Sequence, residues 1–180
     1  MQTIETTRLI LRKYRTDDFD AVHSYASNEE NFNFIQSPIN TEKVTRQKIA
    51  EYIEKVEQNP IKNYKWAVTL KDSGQLIGGC GFDISNMYGE INWIIHRDFW
   101  KQGYGTEVGF TLLKFGFETL NSRRIIAECN AENTGSWRIM EKIGMRREGH
   151  FLDAMPPHKK SDREYNDAFL YAILRREWQG

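Results

Sequence analysis

Residues 96–110, HRDFWKQGYGTEVGF, place Gly103 and Gly105 at the entrance of a segment whose apolar residues recur with helical spacing. The first N–H groups of a helix lack partners within it and point outward with the positive end of the helix dipole. Glycine at that point lets an anion such as a pyrophosphate approach the backbone. A tight turn that requires positive φ explains the same pair, so the glycines alone leave both interpretations open.

Two known phosphate-binding motifs do not fit these glycines. The phosphate loop of nucleotide hydrolases requires GxxxxGK[ST], and no Lys-Ser/Thr follows Gly105. The dinucleotide fingerprint requires GxGxxG early in a parallel βαβ unit, and here Val108 stands where the third glycine belongs. Neither motif therefore describes this stretch.

Length indicates one globular domain over residues 1–180, and the charge balance bears on the partners of that domain. The chain has 180 residues, enough to bury a continuous core. Its 25 basic and 25 acidic residues cancel, and no segment collects one sign. This balance argues against a surface for nucleic acid and against a basic membrane patch.

Cysteine usage and hydropathy indicate a reduced, cytoplasmic protein. Cys80 and Cys129 lie far apart, with no CxxC or Cys/His cluster, so we expect neither a disulfide scaffold nor a metal site. No apolar run approaches the ~20 residues that cross a bilayer. The first residues, MQTIETTRLILRKYR, do not have the pattern of a signal peptide.

The periodic segments predict a mixed α/β fold, with a mostly antiparallel central sheet and helices on both faces. Predicted strands cover 9–14, 64–71, 75–84, 88–96, 123–132, 145–152 and 165–174. The strands at 64–71, 75–84 and 88–96 are expected to form an antiparallel meander. A helix crosses over between the fourth and fifth strands.

Capping residues mark the predicted helices. Thr16 and Thr41 are expected N-caps of the first two helices, and a third runs from Gly105 to Asn121. Asn133 is the expected N-cap of the fourth helix, which ends before Gly144. Residues 153–162, DAMPPHKKSD, are interpreted as a mobile polar loop.

Two segments together resemble the GNAT family of N-acetyltransferases. They are FWKQGYGTE (99–107) and NTGSWRIMEKIGM (133–145). In that family the first has the form Q/R-x-x-G-x-G/A, and its amides hold the pyrophosphate of acetyl-CoA. Trp100 departs from this pattern at the Gln/Arg position. The resemblance extends over nearly the whole chain and implies the acyl-CoA N-acyltransferase fold.

Further stretches resemble the subgroup of ribosomal-protein N-terminal acetyltransferases (RimJ/RimL type). They are TTRLILR near the start, EKIGMRREG, and LRREW at the end. The resemblance implies direct attack of a primary amine on acetyl-CoA in a ternary complex. A protein or peptide N-terminus is the first-ranked acceptor, and a small amine such as an antibiotic or polyamine is the second. A non-catalytic coenzyme-A sensor is the alternative from another class, and monomer and homodimer both remain open.

The resemblance also implies two catalytic residues. Glu90 is the candidate base, acting through water, although a solvent-facing charge in a strand explains it equally well. Many relatives carry a tyrosine acid where this chain has Met140. Because methionine donates no proton, Ser136 is the candidate acid for the departing thiolate, unless a water replaces it or the thiolate leaves unassisted.

The implied coenzyme contacts lie in three groups, with no metal. Backbone groups in a bulged fourth strand receive the pantetheine arm and the oxyanion, the glycine loop receives the pyrophosphate, and the fourth helix lies near the sulfur. The set is Trp93, Ile94, Ile95, Lys101, Gln102, Gly103, Tyr104, Gly105, Thr106, Asn133, Ser136 and Met140. N-capping also explains Asn133 without a ligand, and core packing also explains residues 93–95. Glu107 is interpreted as a carboxylate that favours a helix N-terminus.

Overall fold

The computed structural model describes residues 1–35, 37–157 and 161–180, and within them it contains one eight-stranded sheet. The spatial strand order is β1-β2-β3-β4-β5-β6-β8-β7. The strands are β1 Ile4–Glu5, β2 Leu9–Arg12, β3 Asn63–Leu70, β4 Leu76–Ile84, β5 Gly89–Ile95, β6 Arg124–Asn130, β7 Arg146–Met155 and β8 Asn166–Leu174. The α-helices are α1 Phe19–Ala26, α2 Glu42–Lys55, α3 Tyr104–Lys114 and α4 Thr134–Lys142.

The sheet is antiparallel except at one seam. β5 and β6 run parallel and pair at only two positions, Gly89 with Ile125 and Glu90 with Ile126. α3 lies between these two strands in sequence and provides the crossover that a parallel pair requires. The predicted mixed, mostly antiparallel sheet and the predicted meander of β3, β4 and β5 are both confirmed.

Helices cover both faces of the sheet. In β3, Trp66 and Val68 belong to the core cluster under α3 and α4, whereas Ala67 belongs to a second cluster with Val22 of α1 and Ile49 of α2. Successive strand residues point to opposite faces, so the two clusters lie on opposite sides of the sheet. This arrangement confirms the predicted helices on both faces.

Most of the predicted caps are present, and one is wrong. The Thr41 hydroxyl accepts a hydrogen bond from the Val44 N–H at 3.4 Å, and Gly144 ends the last helix with φ of +87°. Thr16 instead begins a short 3₁₀ turn, Thr16–Asp18, before α1. The reason is Asp18, which is buried, pairs with Arg12 at 2.6 Å and accepts the Arg15 N–H at 2.8 Å.

The remaining differences concern short or irregular segments. β1 has two residues and was not predicted. β7 extends to Met155, so residues 153–155 of the predicted loop are strand, while 158–160 of that loop lie outside the described residues. α3 continues as a π-helical turn, Phe115–Thr119. No helix in the described part of the chain is long and apolar enough to span a membrane.

Candidate active site

The start of α3 has no side-chain cap. Its N-cap is Gly103, with φ of +84°, and Lys101 two residues earlier also has a positive φ, of 61°. Backbone that alternates between right- and left-handed conformations turns successive N–H groups toward one point and forms an anion-binding concavity. Because no cap side chain occupies that point, the N–H groups of the first turn are available to an anion.

The two glycines are required for different reasons. A Cβ at Gly103 would meet only Arg8 Nη2, at 3.4 Å, so this glycine provides the left-handed backbone and the space is open. A Cβ at Gly105 would lie 2.6 Å from Ile139 Cδ1, so this glycine allows close packing of α3 on α4. An open groove of about 920 Å³ adjoins Gly103 and Thr106 along α3. The open space at Gly103 leaves room for an anion at the start of α3.

Trp100 ties the loop to the end of β5. Its indole Nε1 donates to the Ile95 carbonyl at 2.7 Å, and the Nδ2 of buried Asn31 donates to the same oxygen at 2.7 Å. The indole ring is 44% exposed. The residue that departs from the family pattern therefore fixes where the loop begins. Sequence reasoning missed Asn31, because nothing in the local pattern EENFNF indicates a contact 64 residues away.

The remaining loop residues divide between packing and solvent. The Tyr104 ring lies beneath the Arg8 guanidinium, 4.5 Å from its centroid, and contacts Phe99 edge-on. Lys101 and Gln102 are exposed, and Gln102 Nε2 donates to the Asp98 carbonyl at 3.1 Å. The structure therefore leaves the backbone of Gly103 and Thr106, and the Lys101 side chain, facing open space.

The predicted bulge in β5 is wrong, but the strands do splay. The register of β5 with β4 runs without interruption from Ile84–Gly89 to Gly78–Ile95. The gap opens because β6 stops pairing with β5 after Glu90 and Ile126. Trp93 and Ile95 pack into the core under α3, and Ile94 packs on the opposite face. The backbone of residues 93–95 therefore has no β6 partner.

Glu90 lies at the point where the strands separate. Burial raises the pKa of Glu90, and the negative charges of Asp83 and Glu128 raise it further, against the opposing charge of Lys65. Asp83 differs, because Lys65 Nζ at 2.8 Å and Asn63 Nδ2 at 2.7 Å both bind its carboxylate. Of these two carboxylates, which face each other across β4 and β5, Asp83 is paired with a cation, and Glu90 is the one whose pKa is raised.

The start of α4 is closed by its own cap. Asn133 Oδ1 accepts the Ser136 N–H at 3.1 Å, which confirms the predicted N-cap. Burial raises the pKa of the Cys129 thiol to about 11, although a hydrogen bond with the Ser136 side chain acts in the opposite direction. Ser136 therefore faces the diverging part of β6. Met140 is 1% exposed and packs in the core, so its thioether does not reach the gap.

Glu107 lies at the favourable end of the helix dipole and also binds the segment between β1 and β2. Its carboxylate accepts hydrogen bonds from the Thr6 hydroxyl at 2.6 Å, the Arg8 N–H at 2.9 Å and Arg8 Nε at 2.7 Å. Partial burial opposes ionisation of Glu107, but these hydrogen bonds outweigh it and lower the pKa of the carboxyl. Sequence reasoning noticed the stretch TTRLILR without assigning Thr6 or Arg8 a contact.

Metal ligands are not clustered within residues 1–35, 37–157 and 161–180. No group of three or more His, Cys, Asp or Glu side chains there could hold an ion. His96 Nδ1 accepts the Asp98 N–H at 3.2 Å, and His150 Nε2 lies 2.9 Å from Asp167 Oδ2. The first pair lies at the start of the loop before α3, and the second joins the middle of β7 to β8.

Comparison with known proteins identifies the family. A family model for the acetyltransferase (GNAT) domain matches residues 8–146. The uncharacterised N-acetyltransferase YnaD of Bacillus subtilis (strain 168) is 34% identical over 179 residues, covering 97% of this chain and 98% of that protein. A GNAT-family acetyltransferase from Bacillus anthracis has a crystal structure that superposes with a TM-score of 0.84 at 35% identity, covering 98% and 100% of the two chains.

A more distant structure shares the fold. RimL, a ribosomal L7/L12 alpha-N-protein acetyltransferase in complex with coenzyme A, superposes with a TM-score of 0.81 at 18% identity, covering 96% of this chain and 98% of that chain. The divergent strands, the uncapped start of α3 and the family match all agree. The chain belongs to the GNAT family of acetyltransferases, which use acetyl-CoA.

Proposed function

We propose that residues 1–180 form one acetyltransferase domain that moves the acetyl group of acetyl-CoA to a primary amine, first of all the α-amine of a protein or peptide N-terminus. One observation carries this proposal: the gap between β5 and β6 begins at Glu90, on strands joined by the crossover that contains the uncapped start of α3. A thioester carrier with a diphosphate can thus lie with its anion at the helix and its acyl group beside a carboxylate.

The coenzyme contacts follow from this placement. The N–H groups of residues 103–106 face the diphosphate, with the Lys101 ammonium and the Gln102 amide at its edge. The backbone of Trp93, Ile94 and Ile95 lines the gap for the pantetheine arm, and Asn133 reaches its amides from the start of α4. Tyr104, Gly105 and Met140 support these groups by packing.

Glu90 acts as the base. It removes a proton from the ammonium form of the acceptor through water, and its raised pKa makes it a stronger base than an ordinary carboxylate. At pH 7, deprotonation costs ~1 kcal/mol for an α-amine of pKa ~7.8 and ~4.6 kcal/mol for a lysine of pKa ~10.4. A single carboxylate suits the first task, which favours an α-amine as acceptor.

Bond making and breaking then balance within the site. The neutral nitrogen attacks the thioester carbon, a C–N bond forms, and the C–S bond breaks as the amine nitrogen loses its second proton to solvent water. A backbone N–H among residues 93–95 meets the oxyanion. Ser136, which already exchanges a hydrogen bond with the Cys129 thiol, gives its hydroxyl proton to the thiolate and regains one from solvent water.

The fold of RimL supports a protein acceptor by analogy, since that relative acts on an α-amine of a ribosomal protein. A small polyamine is the second candidate, because Asp83, Glu90 and Glu128 place three carboxylates near one another on the sheet. Only Lys65 opposes their charge there among the groups that shift the Glu90 pKa.

Release of free thiol from acetyl-CoA tests the proposal. Matched peptides carry either a free α-amine with blocked lysines or a blocked α-amine with free lysines, and spermidine and an aminoglycoside represent small amines. Turnover confined to free α-amines supports the proposal, and turnover confined to small amines overturns the acceptor. Tight coenzyme binding without thiol release for any acceptor indicates the non-catalytic sensor.

A further inference from the structure

Arg8, in the turn between β1 and β2, binds the loop that precedes α3. Arg8 Nη1 donates to the Gln102 carbonyl at 2.9 Å, and Arg8 Nε donates to Glu107 Oε2 at 2.7 Å. The Arg8 guanidinium also covers the Tyr104 ring. One side chain therefore contacts the residue before the N-cap, the first helical residue and the residue one turn into the helix.

The loop needs such external contacts. Lys101 has φ of 61°, a conformation that costs a non-glycine residue energy and persists only where surrounding structure enforces it. The N-cap Gly103 brings no side chain to hold the helix start. Arg8 binds the Gln102 carbonyl, and since the C=O and the next N–H of a trans peptide point in opposite directions within its plane, the Gly103 N–H points away from Arg8.

Charge balance gives a second, independent argument. Glu107 lies in the first turn of α3, where an unpaired carboxylate would repel an incoming diphosphate. Arg8 neutralises that carboxylate through its N–H and its Nε, and Thr6 takes a third position on it. The arginine thus removes a repulsive charge from the anion site while it shapes the backbone.

We propose that Arg8 is a positioning residue for the diphosphate of acetyl-CoA, acting through the Gln102 carbonyl and the Glu107 carboxylate. The inference rests on the proposed function, which places that diphosphate at residues 103–106. It explains why Thr6, Arg8 and Glu107, three polar residues outside the reacting centre, form one hydrogen-bonded unit across 101 positions of sequence.

The test compares two acyl donors across four variants. Arg8→Met, Arg8→Lys, Glu107→Gln and the double variant Arg8→Met/Glu107→Gln are measured with acetyl-CoA and with S-acetylpantetheine, which lacks the diphosphate. Lys71→Met is the matched control, because Lys71 forms an exposed pair with Glu5 at 3.0 Å on the same edge of the sheet. Calorimetry gives the affinity for acetyl-CoA, and thermal unfolding reports folding.

We expect Arg8→Met to weaken acetyl-CoA binding by about tenfold to a hundredfold, the range of a lost charge-assisted interaction, with kcat at saturation retained. Turnover of S-acetylpantetheine should stay unchanged. The acetyl-CoA affinity of Arg8→Lys should lie between those of the unmodified protein and Arg8→Met, because an ammonium cannot hold both acceptors in a fixed fork. The double variant should bind better than Arg8→Met alone, since the unpaired carboxylate is gone.

Three outcomes overturn the inference. The first is unchanged acetyl-CoA affinity in both Arg8 variants. The second is a loss of turnover with S-acetylpantetheine as large as the loss of acetyl-CoA affinity. The third is a loss of acetyl-CoA affinity in Lys71→Met as large as that in Arg8→Met. Failure of the proposed function has a different signature, because the unmodified protein then either binds no acetyl-CoA, in which case the inference falls with it, or binds it and releases no thiol, in which case the affinities alone decide the inference. If Arg8→Met does not fold, Arg8→Lys and Glu107→Gln decide the question on the same readouts.

Discussion

The two helices that pack on the same face of the sheet, α3 and α4, begin in opposite ways. α4 starts at Asn133, whose side chain closes the first turn by accepting the Ser136 N–H at 3.1 Å. α3 starts at Gly103, which has no side chain and stands in a left-handed conformation. A self-capped helix start is satisfied without a ligand, whereas an uncapped one leaves donors for something else to bind. Under the proposed function, this difference assigns the anion to α3 and leaves α4 at the border of the ligand.

The largest effect is expected at neither helix start. Glu90→Gln should lower kcat by about a hundredfold while acetyl-CoA affinity stays intact, since a positioned base contributes on that order. This outcome would sharpen the comparison, because the base would then lie between the two helix starts and at neither of them. Thiol release and calorimetry on the same variant provide the measurement. Unchanged turnover from pH 6 to 9 would remove Glu90 from the mechanism.

Glu90→Gln should also change how the stability of the protein depends on pH. Burial and neighbouring carboxylates raise the folded-state pKa of Glu90 above its unfolded value, so its favourable contribution is lost as the pH rises through the folded pKa. Glu90→Gln removes that dependence and should raise the melting temperature at pH 8 but not at pH 4. A lower melting temperature at pH 8 would contradict this origin of the shift.

The next effect tests the uncapped helix start directly. Gly103→Ala should weaken acetyl-CoA binding by about tenfold or more, and left-handed backbone should cost it roughly 1–2 kcal/mol of stability. Gly74→Ala is the matched control, because Gly74 also has positive φ, 72°, with nothing within 4 Å of an added Cβ. Both variants should lose similar stability, and only the first should lose affinity. Equal affinity in both would break the comparison.

The capped helix start should respond in the opposite sense. Asn133→Ala removes the cap and should cost about 1 kcal/mol, which lowers the melting temperature of a chain of this size by roughly 2–4 °C. Its effect on acetyl-CoA affinity should be smaller than that of Gly103→Ala, because α4 only borders the ligand. A larger loss of affinity for Asn133→Ala would reverse the assigned roles of the two helices.

The smallest effect is expected one turn into α4. Ser136→Ala should lower kcat a few-fold, since water can replace a weak proton donor at an exposed thiolate. Stability should barely change, because the cap interaction uses the Ser136 N–H, which alanine retains. Cys129→Ser is a useful partner variant, as it keeps a hydrogen-bond partner for Ser136. Full turnover in Ser136→Ala would remove Ser136 as the acid.

Sequence alone sufficed for features that depend on near neighbours. The alternating strands at β3, β4 and β5, the caps at Thr41 and Asn133, and the glycine-rich entrance to α3 each involve residues within a few positions of one another. Periodicity and capping are local physical effects, so a linear pattern carries them. The error at Thr16 arose where a longer contact, from Asp18 to Arg12, overrode the local pattern.

Features that join distant segments could not be predicted. The Ile95 carbonyl accepts hydrogen bonds from both Asn31 and Trp100, and Glu107 is held from Thr6 and Arg8. No periodicity marks such partners, because each depends on where two separate elements meet in space. The strand gap is similar, because divergence of β6 rather than a bulge in β5 opens it, and that divergence depends on how two separate strands meet.

Because β5 and β6 pair at only two positions, the sheet consists of two parts that are joined by very few backbone hydrogen bonds. Amides at Ile91–Ile95 lie mid-sheet, yet in the described structure their β6 side lacks a neighbouring strand. Alternate N–H groups of that segment point away from β4, so deuterium should enter at those positions quickly in the empty protein, despite their central location. A bound thioester arm should slow this exchange selectively, so the cosubstrate would complete the sheet that the polypeptide leaves open.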